Sequence, residues 1–213
     1  MTVATKVIGK KKRAVSAQDV MDAAVGLLDS NRSVSTLTLR EIARAAGIAP
    51  NSFYRHFRDV DELTVAVIDQ AGRKLRGVIR ESRLLAGRKH DVIRSSVETF
   101  MKQLDGEDKY LHVLLRELST GPETFHRAVD SELNHFEDEL RDEFERRQQT
   151  EKVAIHKPEL VAKAITRLVF TMGASAADLP SDKRSEIVEQ TIVMIRMIVV
   201  GAHRMGIKQL RAD

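Results

Sequence analysis

The sequence predicts an all-α protein of about nine helices. Three observations carry that reading. Only four prolines and eleven glycines punctuate 213 residues, the apolar residues recur at helical spacing almost throughout, and no stretch alternates as a half-buried strand would. A hydrophobic content of 42% beside 31% charged residues fits a folded chain with a real core and excludes a disordered one.

Each element has its own local signal. Ser16 and Asp19 have the spacing of a capping box, and Val20, Ala23, Ala24, Leu27 and Leu28 line one face of the helix that follows. The polar run from Asp29 to Ser35 ends it. Thr38 and Glu41 repeat the capping pattern and open a short second helix that buries Leu39, Ile42 and Ala43. Gly47 stops that helix, and Pro50 fits the first position of a third. Asp59 with Glu62 caps a long fourth helix from about Val60 to beyond Arg80. Two helices follow, over roughly Asp91 to Leu104 and Lys109 to Leu118, before Gly121-Pro122 forces a break. From Pro122 to about Gln149, Phe125, Val129, Leu133, Phe136, Leu140 and Phe144 form one stripe, and the acidic residues between them read as a solvated face. Pro158 and Pro180 bracket a helix near Glu159 to Ala176, and a last helix is expected from about Ser185 to Met205.

Charge is distributed unevenly. Residues 1–60 carry ten Lys or Arg against five Asp or Glu, whereas the remaining 153 residues carry 25 against 26. A basic N-terminal quarter on a neutral body points to a polyanion partner for the first part. With no cysteine there is no disulfide, thiolate metal site or cysteine nucleophile. The basic residues Lys6, Lys10, Lys11, Lys12 and Arg13 break up any signal-peptide core, and IRMIVVGA (Ile195 to Ala202) is too short to span a bilayer. The chain reads as cytoplasmic, with no membrane partner.

The stretch GIAPNSFYRHF, from Gly47 to Phe57, holds three of the chain's nine aromatic residues. Two short helices joined by a tight turn at Gly47, with small Ala43 and Ala46 where they cross, describe a helix-turn-helix unit. Phe53 and Phe57 lie four apart and share a face, which assigns them to the core of that unit rather than to a base-stacking platform. Asn51, Ser52, Arg55 and His56 are left to face outward, with Tyr54 on the flank.

LTLREIARAAGIAPNSFYRHFRDVDEL, from Leu37 to Leu63, resembles the DNA-binding signature of the TetR family of bacterial repressors. The resemblance implies a DNA-binding domain over residues 1–60 and a ligand-binding and dimerisation domain over 61–213. It implies a homodimer on a palindromic double-stranded operator. By position, Thr38 and Arg40 would approach phosphate or a base edge from the second helix. Asn51, Ser52, Arg55 and His56 would do so from the third, with Tyr54 on phosphate. Many members carry a Lys near the start of the fourth helix; here Val60 stands there, and the basic arm from Lys6 to Arg13 is expected to supply the charge.

The last helix is apolar on nearly every side, through Ile187, Val188, Ile192, Val193, Ile195, Met197, Ile198, Val199 and Val200. Its neighbour carries Leu160, Val161, Ile165, Leu168, Val169 and Met172. One face on the body and another on a twin subunit would account for both. SFYRHFRDVDEL with IRSSVETFM, LLREL and FHRAVDSELNHF is further similar to TetR-type repressors of unsaturated fatty acid synthesis and desaturase genes. That likeness implies a long-chain acyl-CoA or acyl-ACP effector and no cofactor. Candidate lining residues are Phe100, Leu104, Leu114, Phe136 and Phe170, each also compatible with plain core.

Rival classes are weaker. No H-E-x-x-H, Walker A, G-x-S-x-G or dinucleotide fingerprint is present, and His126 and His135, nine apart, point to opposite sides of their helix. Neither catalysis nor a metal site is expected. A repressor of an efflux or catabolic operon, induced by another small hydrophobic molecule, keeps the same DNA-binding head with a different pocket.

Overall fold

The computed structural model describes residues 14–28, 32–86, 91–105, 109–151, 153–177 and 179–210. Among them the chain is entirely helical, as the apolar periodicity predicts. In order the helices are α1 (Ala17–Gly26), α2 (Leu39–Ala45), α3 (Pro50–Phe53), α4 (Val60–Ala86), α5 (Val92–Lys102), α6 (Tyr110–Thr120), α7 (Glu123–Glu151), α8 (Pro158–Ala176) and α9 (Ser181–Leu210). Short 3-10 turns lie at Val34–Thr36 and Gln103–Asp105.

The capping signals act where the sequence places them. The Ser16–Asp19 and Thr38–Glu41 boxes are both complete, with each side chain bonded to the other residue's backbone N–H. Asp59 Oδ1 accepts from Glu62 N at 2.7 Å at the start of α4. Pro158 opens α8. α9 departs from expectation: it begins directly after Pro180, at Ser181, and reaches Leu210, a turn longer at each end than the apolar pattern indicates. Its first turn, Ser181 to Arg184, is polar and held by the Arg184 N–H to Pro180 O bond of 3.0 Å, so hydrophobic periodicity could not report it.

α4 is the central strut. Its first half packs on α1, and its length runs against α5, α6 and α7; α7, α8 and α9 then pack in sequence. At 27 residues it spans about 40 Å. Leu63, Val67 and Ile68 bury its early turns in the N-terminal bundle, and Leu75 and Ile79 bury its later turns in the body. Among the described residues no helix is long and apolar enough to cross a membrane.

Candidate nucleic-acid interface and effector cavity

The N-terminal bundle holds one very short helix against its core. Gly47, at φ 67°, takes the left-handed position that ends α2, which lets Ile48 N–H reach Ala43 O at 3.0 Å and Gly47 N–H reach Arg44 O at 3.1 Å. Pro50 then starts α3, a single turn extended by Phe57 N–H to Phe53 O at 3.1 Å. Phe53 is fully buried and Phe57 nearly so, with ring centroids 5.9 Å apart. Tyr54 stands edge-on to Phe53 and is 62% exposed.

The polar residues of this stretch face out. Asn51, Tyr54 and Arg55 are exposed, Ser52 and His56 half-buried, and on α2 Thr38 and Arg40 are exposed. Arg44 is exposed as well and lies one turn beyond Arg40 on α2, and Arg58 follows α3 with its side chain 81% exposed. Neither was singled out from the sequence, although the i,i+4 spacing of Arg40 and Arg44 marks a shared face. Thr38 is less free than its position suggests. Its hydroxyl donates to Glu41 Oε2 at 2.8 Å and accepts from Glu41 N at 3.3 Å, so its single proton is committed to the cap. The Thr38 backbone N–H, then Arg32 at 2.9 Å, hold the exposed Glu41 carboxyl down at about 2. The basic arm from Lys6 to Arg13 lies outside the described residues.

An exposed basic and amide face on a helix held by two buried rings has the shape of a major-groove reader. Residues 20–67 match the family model described as bacterial regulatory proteins, tetR family. Over those residues the chain carries a DNA-binding head of the TetR type. Its fold is that of a TetR-family regulator from Syntrophomonas wolfei, at TM-score 0.72 and 11% identity, covering 86% of this chain and 94% of that one. The fatty acid degradation regulator FadR from Bacillus halodurans aligns at TM-score 0.63 and 16% identity over 89% and 97% of the two chains. The multidrug binding protein EbrR aligns at 0.62 and 17% over 86% and 94%. TetR-type regulators are a DNA-binding class rather than an enzyme class.

In this chain α6 ties head to body. Tyr110 OH donates to Asp22 Oδ1 at 2.7 Å and accepts from Gln18 at 3.0 Å, and Lys109 Nζ donates to Leu28 O at 2.6 Å. Glu117, fully buried, accepts from Ser33 Oγ at 2.6 Å and Val34 N at 3.3 Å. Glu117 and Glu132 are both buried. Burial pushes the Glu132 carboxyl up against the pull of Arg76, which bonds it across the α4–α7 contact. Each meets its partner on another segment of the chain, Glu117 at Ser33 and Val34 and Glu132 at Arg76 of α4.

Beneath the C-terminal half of α4 lies a cavity of about 170 Å³. Phe100 of α5, Phe136 of α7 and Phe170 of α8 line it, with Phe170 5.4 Å from the Phe100 centroid and 5.0 Å from Phe136. Ile79 of α4 and Ile195 and Val199 of α9 add to the apolar wall. The structure does not bring Leu104 and Leu114 to this wall. Both are buried elsewhere in the core, Leu104 in the 3-10 turn after α5 and Leu114 on α6, a helix that contributes no side chain to the cavity. Arg83, Glu143 and Arg147 give the cavity a polar end. Part of the acidic face expected on α7 is thus paired: Glu143 with Arg146 and Arg147, Glu137 with Arg167, and Glu139 with Arg76. Among the described residues no group of His, Cys, Asp or Glu could hold a metal ion.

Proposed function

We propose that the chain binds a palindromic operator as a homodimer and releases or grips it in response to a fatty acyl effector seated in the α4–α5–α7–α8–α9 cavity. The observation that carries this reading is the single helix α4, which places Ile79 and Arg83 in the cavity wall and Leu63 and Val67 in the core of the reading head. A rod of about 40 Å tilted by about 5° at one end moves its other end by about 3.5 Å, enough to spoil groove register. A ligand produces that shift only through unequal affinity for the two states. The apolar cavity supports an acyl chain, and its volume supplies the inequality. An engineered apolar cavity of about 150 Å³ accepts benzene, so a long chain enters this one only by displacing its phenyl rings and the helices behind them. Arg40, Asn51, Ser52, Arg55 and His56 then read or position DNA, with Tyr54 against phosphate, and Thr38 contributes chiefly as the cap that orients α2.

Dimerisation is supported by one exposed stripe. Val193, Met197 and Val200 on α9 and Leu160 on α8 are 44%, 68%, 51% and 55% exposed, all on helices whose other faces are buried. A second copy laid against α8 and α9 would bury them. A gene set concerned with fatty acids agrees with the FadR likeness, though that relative is named for degradation rather than synthesis. A smaller hydrophobic inducer is the second reading, favoured by the cavity volume and by the likeness to a multidrug binding protein. Mobility shifts of a selected operator with saturated and unsaturated acyl thioesters test the proposal. A response to either supports it, and silence to both, with a response to unrelated apolar compounds, selects the second reading.

A further inference from the structure

Two polar groups on the cavity wall meet no hydrogen-bond partner among the described residues. Arg83 is partly buried, and among the described residues no hydrogen bond or ion pair meets its guanidinium. Burial lowers its proton affinity, which the more distant carboxylates Glu143 and Glu139 only partly offset. Glu143 is engaged instead by Arg146 at 2.7 Å and Arg147 at 2.8 Å. On the facing helix, the Ser96 hydroxyl is buried and has no hydrogen-bond partner either. Buried polar groups are almost always satisfied, and an unpaired buried charge is costly. A half-buried guanidinium and a buried hydroxyl, both without a protein partner among the described residues, on the wall of one apolar cavity describe a site suited to an acceptor.

We infer that Arg83, with Ser96 on the wall of the same cavity, anchors the anionic head of an amphipathic effector whose apolar part lies against Phe100, Phe136 and Phe170. A guanidinium and a hydroxyl both donate, so the complementary head accepts at two oxygens and carries negative charge, as a carboxylate or a phosphate does. The inference rests on the reading of this cavity as the effector site. It adds the head-group chemistry, which the apolar wall alone leaves open. The carboxylate of a free acid and the phosphates of a coenzyme A carrier share that chemistry.

The test measures binding to the full-length dimer for octanoate, octanoyl-CoA and the neutral octan-1-ol, and for benzoate against benzyl alcohol. Wild type is expected to prefer at least one anionic member of each series over its alcohol by ten-fold or more, and Arg83→Met to abolish the preference while binding the alcohols as before. Whichever of octanoate and octanoyl-CoA loses affinity identifies the head. Ser96→Ala, a milder change, is expected to narrow the preference severalfold. Alcohols bound as tightly as anions, or a preference that survives in Arg83→Met, would overturn the anchor and leave the acyl reading intact. Binding of benzoate through Arg83 with no acyl compound bound would keep the anchor and remove the acyl reading. An Arg83→Met chain that binds no ligand but loses thermal stability would count against it, because removal of an unsatisfied charge is expected to raise the melting temperature of the empty protein.

Discussion

Gly173→Ala tests whether the cavity is open space that the protein uses. Gly173 sits in α8 with its missing Cβ aimed at Phe100: a methyl there would lie 2.4 Å from Cε1 and 2.8 Å from Cζ of that ring. The ring must move, and the cavity it lines is where it can go. Two terms set the stability change. Alanine in place of glycine inside a helix gains about 1 kcal/mol, and overpacking of a filled core costs about 1–3 kcal/mol. Because one side of Phe100 faces empty volume, the cost belongs at the low end, and the net change is expected within about 1 kcal/mol of zero. The ligand has no such relief. A methyl group's worth of pocket is worth about 1–3 kcal/mol to an apolar ligand, so effector affinity is expected to fall by roughly ten-fold or more. Thermal denaturation and calorimetric titration with octanoate or octanoyl-CoA read the two quantities separately. Destabilisation by more than about 3 kcal/mol would show that the ring has nowhere to go. Unchanged affinity beside unchanged stability would show that the ligand binds elsewhere.

Three further outcomes are expected. Arg55→Ala should weaken operator binding by about 1–3 kcal/mol while leaving nonspecific duplex affinity nearly unchanged, as competition between specific and scrambled duplexes will read; equal losses on both would make Arg55 a phosphate contact. Met197→Glu should give a monomer of unaltered helix content by light scattering and circular dichroism, because Met197 is 68% exposed in the single chain; an unchanged mass would move the dimer interface off α9. The Glu41 carboxyl should titrate near 2 rather than at its ordinary 4.5 when followed by NMR, so the α2 cap is fully formed above about 4.5 and lost only as pH falls toward 2. Arg32→Ala should raise that midpoint, and a midpoint already at 4.5 in wild type would mean that the box is open in solution.

Local features of the fold were legible in the sequence because their causes are local. Ser16 with Asp19, Thr38 with Glu41 and Gly47 each act within a few residues of chain, and the split of GIAPNSFYRHF into buried Phe53 and Phe57 against exposed Asn51, Tyr54 and Arg55 follows from helical rotation alone. The pocket was legible only as residue types. Phe100, Phe136 and Phe170 share a wall because α5, α7 and α8 converge, whereas Leu104 and Leu114, equally apolar, do not reach it. Periodicity gives the face a residue occupies and not the neighbour it meets. The same limit hid Glu117, Glu132 and Arg83. An acid is read as solvated until another segment supplies Ser33 or Arg76, and Arg83 gains meaning only because no described residue supplies it a partner.

The central claim is that one chain couples sequence-specific DNA recognition to occupancy of the α4 cavity. Selection of bound duplexes from a random-sequence pool by the full-length protein, repeated with saturating octanoate or octanoyl-CoA, tests it most directly. The account predicts an enriched inverted repeat bound by two chains, with an affinity that the effector changes by ten-fold or more and that Gly173→Ala makes less responsive. Enrichment of no sequence, or of a repeat whose affinity ignores every ligand that fills the cavity, would contradict it.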